Sequence, residues 1–139
     1  MDLAKKVVAK MMTGDAFSQW LGIEVLEISA GFCKLKLKVR EEMTNGFAIA
    51  HGGIAYSLAD SCLAFAANSD GIQSVSIETS ISHIKKVKSG DILTATSKEI
   101  NKSNKTALYY ITITNQDKLE VAHFKGTVYR TGKEWFSKD

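Results

Sequence analysis

Between Met43 and Ser69 the chain reads MTNGFAIAHGGIAYSLADSCLAFAANS, and Asp60 is its only Asp, Glu, Lys or Arg. With 24% of the whole chain charged, an even spread would put about six such residues there. Depletion that deep marks a segment destined for burial, around which the rest of the fold must be arranged. A lone acid inside such a segment costs free energy unless it is paired, hydrogen-bonded or used in chemistry. The segment also contains His51-Gly52-Gly53 at the expected start of a helix. First-turn amides of a helix lack intrahelical acceptors and favour negative charge. An acid together with an anion-binding helix start reads as a hydrolytic site.

Helical periodicity runs from His51 to about Asn68. Ile54, Ala55, Leu58, Ala59, Cys62, Leu63 and Ala66 form one apolar stripe. Asp60 falls on the other side with Tyr56, Ser57, Ala64 and Ala67. A solvated back face normally carries Lys and Glu, so this uncharged one is expected to be covered, most simply by a second copy of the chain.

On either side the pattern changes. Asp2 to about Met12 has Leu3, Val7, Val8 and Met11 at helical spacing, and Asp15 is placed to cap a short turn through Phe17 and Trp20. Ile23, Val25 and Ile28 belong to a strand. Phe32, Lys34, Lys36 and Lys38 then alternate with Cys33, Leu35, Leu37 and Val39, a half-exposed strand. After the central helix, Asp70-Gly71 turns the chain into four extended stretches: Gln73 to Lys86, Asp91 to Ile100, Ala107 to Asn115 and Glu120 to Arg130. Short polar turns separate them, so successive strands are expected to pair antiparallel. The tail from Thr131 to Asp139 reads as frayed. The order of elements makes an α+β single domain over residues 1–139, with the sheet lying across one long helix.

Composition narrows the function classes. The net charge of +3 is mild, and no Lys/Arg stripe interleaved with aromatics marks a nucleic-acid surface. Lys85, Lys86 and Lys88 gather locally, as a solvated strand end or as a rim for phosphates. The apolar run is interrupted by Asp60 and several Ser residues and is no membrane span, and the N-terminus is not a secretory signal. Cys33 and Cys62 are too few for a disulfide framework or a zinc site, so a reduced cytoplasmic setting is expected. His51, His83 and His123 lack metal-ligand spacing, and no metal or separate cofactor is expected.

The residues Asn45-Gly46, His51-Gly52-Gly53, Leu58-Ala59-Asp60, Asn68-Ser69-Asp70-Gly71 and Ser89-Gly90-Asp91, in this order over nearly the full length, resemble the hotdog-fold acyl-CoA thioesterases of the PaaI-like, phenylacetate-degradation type. The resemblance implies an antiparallel sheet wrapped around the central helix. It implies Asp60 as general base or nucleophile towards a thioester, and Gly52 as the residue whose N–H polarises the carbonyl. It also implies that His51 supports that geometry, that Asn45 helps orient the attacking water, and that Ser76 matches a polar residue which in some relatives faces the site from the neighbouring subunit. It further implies a homodimer assembling to a tetramer, acting on an acyl-CoA substrate with coenzyme A as part of it. One departure concerns the stretch near the coenzyme A channel. Relatives often carry an aromatic and a proline there, where this chain has His83-Ile84-Lys85-Lys86-Val87.

Each residue also has a plainer account. Asn45-Gly46 is a common turn, Gly52-Gly53 can serve tight packing, His51 can be a simple helix cap, and Ser76 an ordinary strand residue. Phe17, Trp20, Phe47 and Tyr56 can line an acyl pocket or pack the core, with Phe17 and Trp20 expected in the core. Two other activities compete with hydrolysis of a small or aromatic acyl-CoA. One is a non-catalytic acyl-CoA-binding or regulatory hotdog domain, the other a hotdog dehydratase.

Overall fold

The structure, a computed structural model, describes residues 1–137. Helix α1 spans Leu3–Gly14; its first turn is capped by Asp2, which accepts from Lys5 N–H at 2.9 Å. Helix α2, Ala16–Leu21, is capped by Asp15 and closed by Gly22 in the left-handed conformation, φ 74°. Strands β1 (Glu24–Ser29) and β2 (Phe32–Lys38) form a hairpin, and a 3-10 turn over Glu41–Met43 leads into the loop before α3 (Gly52–Asn68). Strands β3 (Ile72–His83), β4 (Ile92–Lys102), β5 (Thr106–Thr114) and β6 (Glu120–Glu134) complete the chain.

All six strands join one antiparallel sheet in the order β1-β2-β4-β5-β6-β3. This corrects the expected pairing of successive strands. β3 does not pair with β4 but crosses to the far side and pairs with β6, while β4 pairs with β2. The long connection from His83 to Ile92 makes that crossing possible, and strand periodicity carries no information about the partner chosen.

Helix α3 lies across the sheet and packs on β2 to β6. Every residue of the expected stripe is buried, and so are Phe65 and Ala67. Ala67 therefore belongs to the core rather than to the face of Asp60. Cys33, Leu35 and Leu37 of β2 point at the helix with Leu93, Ala95, Ile111, Ile113 and Phe124, while Lys34 and Lys36 turn away. Burying a Leu or Ile contributes about 1.5–3 kcal/mol, so this face dominates the stability. The helix approaches β6 closely at Gly126, where a Cβ would stand 2.5 Å from Leu63 Cδ2. Cys33 and Cys62 are free thiols, both buried.

The tail is not frayed where it is described. β6 continues to Glu134, Trp135 N–H donates to Gly71 O at 2.9 Å, and its indole Nε1 donates to Asn68 Oδ1 at 2.8 Å. Lys6 and Lys10 of α1 sit over the Phe136 ring. Residues 138 and 139 lie outside the described residues.

Candidate active site

Asp60 sits in the third turn of α3, half-buried. Among the described residues its carboxylate has no hydrogen bond and no ion pair. Burial raises its pKa above the ordinary value, and the like charge of Asp15 pushes it the same way. Asp15 is fixed by its capping role: Ser18 N–H donates to it at 2.9 Å and the Ser18 hydroxyl at 2.6 Å. The Ser18 hydroxyl also meets the Ser61 hydroxyl at 2.8 Å, which ties α2 to α3 beside the acid. The sequence marked Asp15 as a cap, but nothing in it indicated the proximity to Asp60.

Two recesses flank the carboxylate. One, of about 340 Å³, is walled by Asp15, Phe17, Ser18, Tyr56, Ser57 and Ser61. The other, of about 390 Å³, includes Leu63, Asn68, Ser76, Val128 and Trp135. α1, α2 and Trp135 thus cover part of the face expected to await a partner. Phe17 and Trp20 are not core residues: they are 55% and 51% exposed and stack on each other at 6.1 Å. Arg40 lies over the Trp20 ring, 4.9 Å from its centroid, and donates to the Leu21 and Trp20 carbonyls, so the pair is anchored at the surface. Tyr56 is tied through its hydroxyl to that of Thr79 on β3.

The helix start builds a different recess, of about 300 Å³, shared by Asn45, His51, Gly52, His83, Lys85 and Lys86. His51 is the N-cap of α3, and its Nδ1 accepts from Gly53 N–H at 2.8 Å. That bond commits Nδ1 as an acceptor and leaves Nε2 as the other ring nitrogen. Ile54 N–H donates to His51 O at 2.9 Å, so two first-turn donors are used internally. The Gly52 amide has no acceptor among the described residues. Asn45 builds the turn before the helix: its Oδ1 accepts from Phe47 N–H at 2.9 Å and Ile49 N–H at 3.4 Å. The amide nitrogen of that side chain has no partner among the described residues, so the turn role and a place in the recess lining coexist.

Of the five expected site residues, the structure brings Asn45, His51 and Gly52 together at one end of α3, and Asp60 and Ser76 together further along it. Ser76 is exposed on β3 and shares a recess with Asp60 of its own protomer. Gly52 and Asp60 are eight residues apart, about 12 Å along the helix axis. The two groups face separate recesses within one chain. Among the described residues no cluster of three His, Cys, Asp or Glu side chains is arranged to hold a metal ion.

An antiparallel six-stranded sheet wrapped on one helix is the hotdog fold, and here that helix carries an unpaired acid and, at its start, the free Gly52 amide. The chain belongs to the thioesterase superfamily, whose family profile matches residues 47–122. It is similar to the acyl-coenzyme A thioesterase PaaI of Escherichia coli K12, with 36% identity over 122 residues, 88% of this chain and 87% of the relative. The solved structure of the E. coli PaaI protein, from the phenylacetic acid degradation operon, superposes with a TM-score of 0.92 at 34% identity, covering 94% of this chain and 95% of that one. A protein of Streptococcus mutans UA159, solved bound to acetyl CoA, superposes with a TM-score of 0.78 at 28% identity, covering 81% of this chain and 90% of its own.

Proposed function

We propose that the protein is an acyl-CoA thioesterase that hydrolyses a small or aromatic acyl-CoA of the phenylacetyl-CoA kind, with each site assembled from two protomers of a homodimer that pairs further into a tetramer. The observation that carries this reading is Asp60, a half-buried carboxylate with a raised pKa and, among the described residues, no cation to neutralise it. A buried acid kept only for structure is ordinarily paired. This one is set against a like charge instead.

The reaction follows from the two halves of the site. The Gly52 amide and the helix dipole stabilise negative charge growing on the thioester carbonyl oxygen. As general base, Asp60 takes a proton from water while the water oxygen bonds to the carbonyl carbon. The tetrahedral oxyanion then collapses, the C–S bond breaks, and coenzyme A leaves as a thiolate that takes up a proton. As nucleophile, Asp60 bonds to that carbon itself, the C–S bond breaks to release the coenzyme A thiolate, and water then attacks the Asp60 carboxyl carbon of the anhydride to free the acid. A single turnover in oxygen-18 water separates the two, since only the second route puts label into Asp60. Asn45 and Ser76 offer polar groups to position water and acyl chain. Lys85 and Lys86, on the rim of the Gly52 recess, suit the phosphates of coenzyme A. The likeness to a protein solved with acetyl CoA supports the same substrate class.

The dimer is supported by two features. The site is split within one protomer, and β3 ends the sheet with an unpaired edge that carries Val75 and Ile77, 58% and 60% exposed. A long edge strand with exposed apolar side chains is a template for pairing with another strand. The test is thiol release from acyl-CoAs running from acetyl to palmitoyl, with phenylacetyl and benzoyl, for wild type and Asp60→Asn. Turnover that falls by about 10²–10⁴-fold in the variant supports the reading. Binding without thiol release from any of them would instead mark a regulatory acyl-CoA-binding domain.

A further inference from the structure

We propose that His83 is a second hydrogen-bond donor to the thioester carbonyl oxygen, acting beside the Gly52 amide. The inference rests on the thioesterase reading and adds to it a residue that the sequence left unassigned.

An oxyanion in an acyl-transfer site is typically held by more than one preorganised donor. The start of α3 provides fewer than its geometry promises. Gly53 N–H is taken by His51 Nδ1 and Ile54 N–H by the His51 carbonyl, which leaves the Gly52 amide as the uncommitted donor of the three. A further donor has to come from outside the helix. His83 is the last residue of β3, held by backbone pairing with Ala122 of β6, so the sheet rather than a loose loop sets its position. Its ring lies against the helix start: a Cβ built on Gly52 would stand 3.4 Å from His83 Nε2 and 3.7 Å from Cε1. The space over the Gly52 Cα, next to its amide, is thus bounded by an imidazole nitrogen. That imidazole has no hydrogen bond or ion pair among the described residues. It faces the same recess as Asn45, His51 and Gly52.

These observations assign the two histidines different tasks. His51 is committed inward, shaping the first turn. His83 carries an uncommitted ring beside the uncommitted amide, and an Nε2–H there donates to an oxygen held by Gly52. No proton needs to change hands. The bond strengthens as charge develops on the oxygen and lapses when the C–S bond breaks.

His83→Ala, His83→Gln and His83→Phe test the assignment, with Asp60→Asn measured alongside on whichever acyl-CoA the wild type prefers. Expected for His83→Ala is a kcat loss on the order of tenfold to a hundredfold with KM changed less than about twofold. His83→Gln, which keeps a donor, recovers part of that rate, and His83→Phe, which keeps only the bulk, does not. Two unreactive analogues give a second readout. A ketone, with CH2 replacing sulfur, keeps the carbonyl oxygen; a thioether, with CH2 replacing the carbonyl, lacks it. His83→Ala should weaken the ketone severalfold and leave the thioether unchanged. Wild-type rates in His83→Phe, or equal weakening of both analogues, overturn the assignment and make His83 a packing or coenzyme A contact. If Asp60→Asn is inactive while all three His83 variants match wild type, only the His83 inference fails. If wild type releases no thiol from any acyl-CoA, the thioesterase reading fails and takes this inference with it.

Discussion

Two inactive variants of this protein should rescue each other. The argument starts from distance. The Gly52 amide must lie about 2.7–3.1 Å from the carbonyl oxygen, and the attacking oxygen about 3–3.5 Å from the carbonyl carbon. One thioester therefore demands that the Gly52 amide and the Asp60 carboxylate come within several ångströms of each other. Within one chain they are about 12 Å apart along α3 and open into separate recesses. On the proposed mechanism, each site then takes Asp60 from one protomer and Gly52 from its partner. Asp60→Asn removes the base, and Gly52→Val fills the space before His83 so that no substrate oxygen reaches the amide. When equal amounts of the two variants exchange subunits at random, about half of the dimers are mixed, and each mixed dimer has one intact site of two. The mixture should recover about a quarter of the wild-type rate from parents that are each below about 1%. Thiol release gives the rate and native mass spectrometry counts the mixed dimers. Mixed dimers present at half of the population with no recovered turnover would refute the shared site and require both groups to act from one chain.

Three further outcomes follow from individual side chains. The folded state raises the Asp60 pKa, so the stability it contributes is fully present below its unfolded value and is lost as pH rises through the folded one. Asp60→Asn should therefore melt at or above the wild-type temperature at pH 7, with the difference closing towards pH 3; a melting point several degrees lower at pH 7 would mean that the carboxylate has a partner. Asp70 behaves in the opposite sense: burial works against its charge, but Arg130 at 2.7 Å, the Ile72 amide and Lys102 at 3.3 Å outweigh it and hold the pKa below the ordinary value. Asp70→Asn should cost about 2 kcal/mol at pH 7 by chemical denaturation, a deficit that is full above pH ~4 and fades as the pH falls through the lower folded value; an equal deficit at pH 2 would contradict it. Lys85→Glu with Lys86→Glu should raise KM for acyl-CoA by about tenfold at low salt with kcat little changed, and added salt should shrink the gap; an unchanged KM removes these lysines from the coenzyme A path.

What could be read from the sequence was whatever burial alone dictates. The charge-free run around Asp60 announces a central helix in any fold that this chain adopts, and the alternation of Lys34 and Lys36 with Leu35 and Leu37 gives β2 its two faces. Relations across the chain were not legible. The pairing of β3 with β6 depends on which edge the chain crosses to, and a strand's own periodicity is the same on either edge. Trp135 lies in a stretch that reads as frayed, because its anchors are the Asn68 side chain and the Gly71 carbonyl, far away in sequence. Phe17 and Trp20 were expected in the core on residue type, yet Arg40 holds Trp20 at the surface through contacts that likewise span distant positions. At the site, the helix-start motif was legible, since glycines and a cap act through neighbouring backbone. Asp15 beside Asp60 and His83 beside Gly52 were not.

Asp60 and Asp70 make the most direct comparison in the molecule. Both are partly buried acids, one within α3 and one just past its end. At Asp70 the fold brings in Arg130 and Lys102 from two strands to compensate the charge. At Asp60, ten residues earlier, it brings in Asp15. The same chain is therefore able to neutralise an acid in this region and does the reverse at the one proposed to act in hydrolysis. A carboxylate held above its ordinary pKa binds a proton more readily, which makes it a stronger base towards water at neutral pH while it remains ionised. Arg or Lys beside Asp60 would stabilise the fold and lower that basicity. On the proposed mechanism, the absence of Lys and Arg from the whole stretch between Met43 and Ser69 serves the chemistry as well as burial. Burial alone would have been met equally well by replacing the acid.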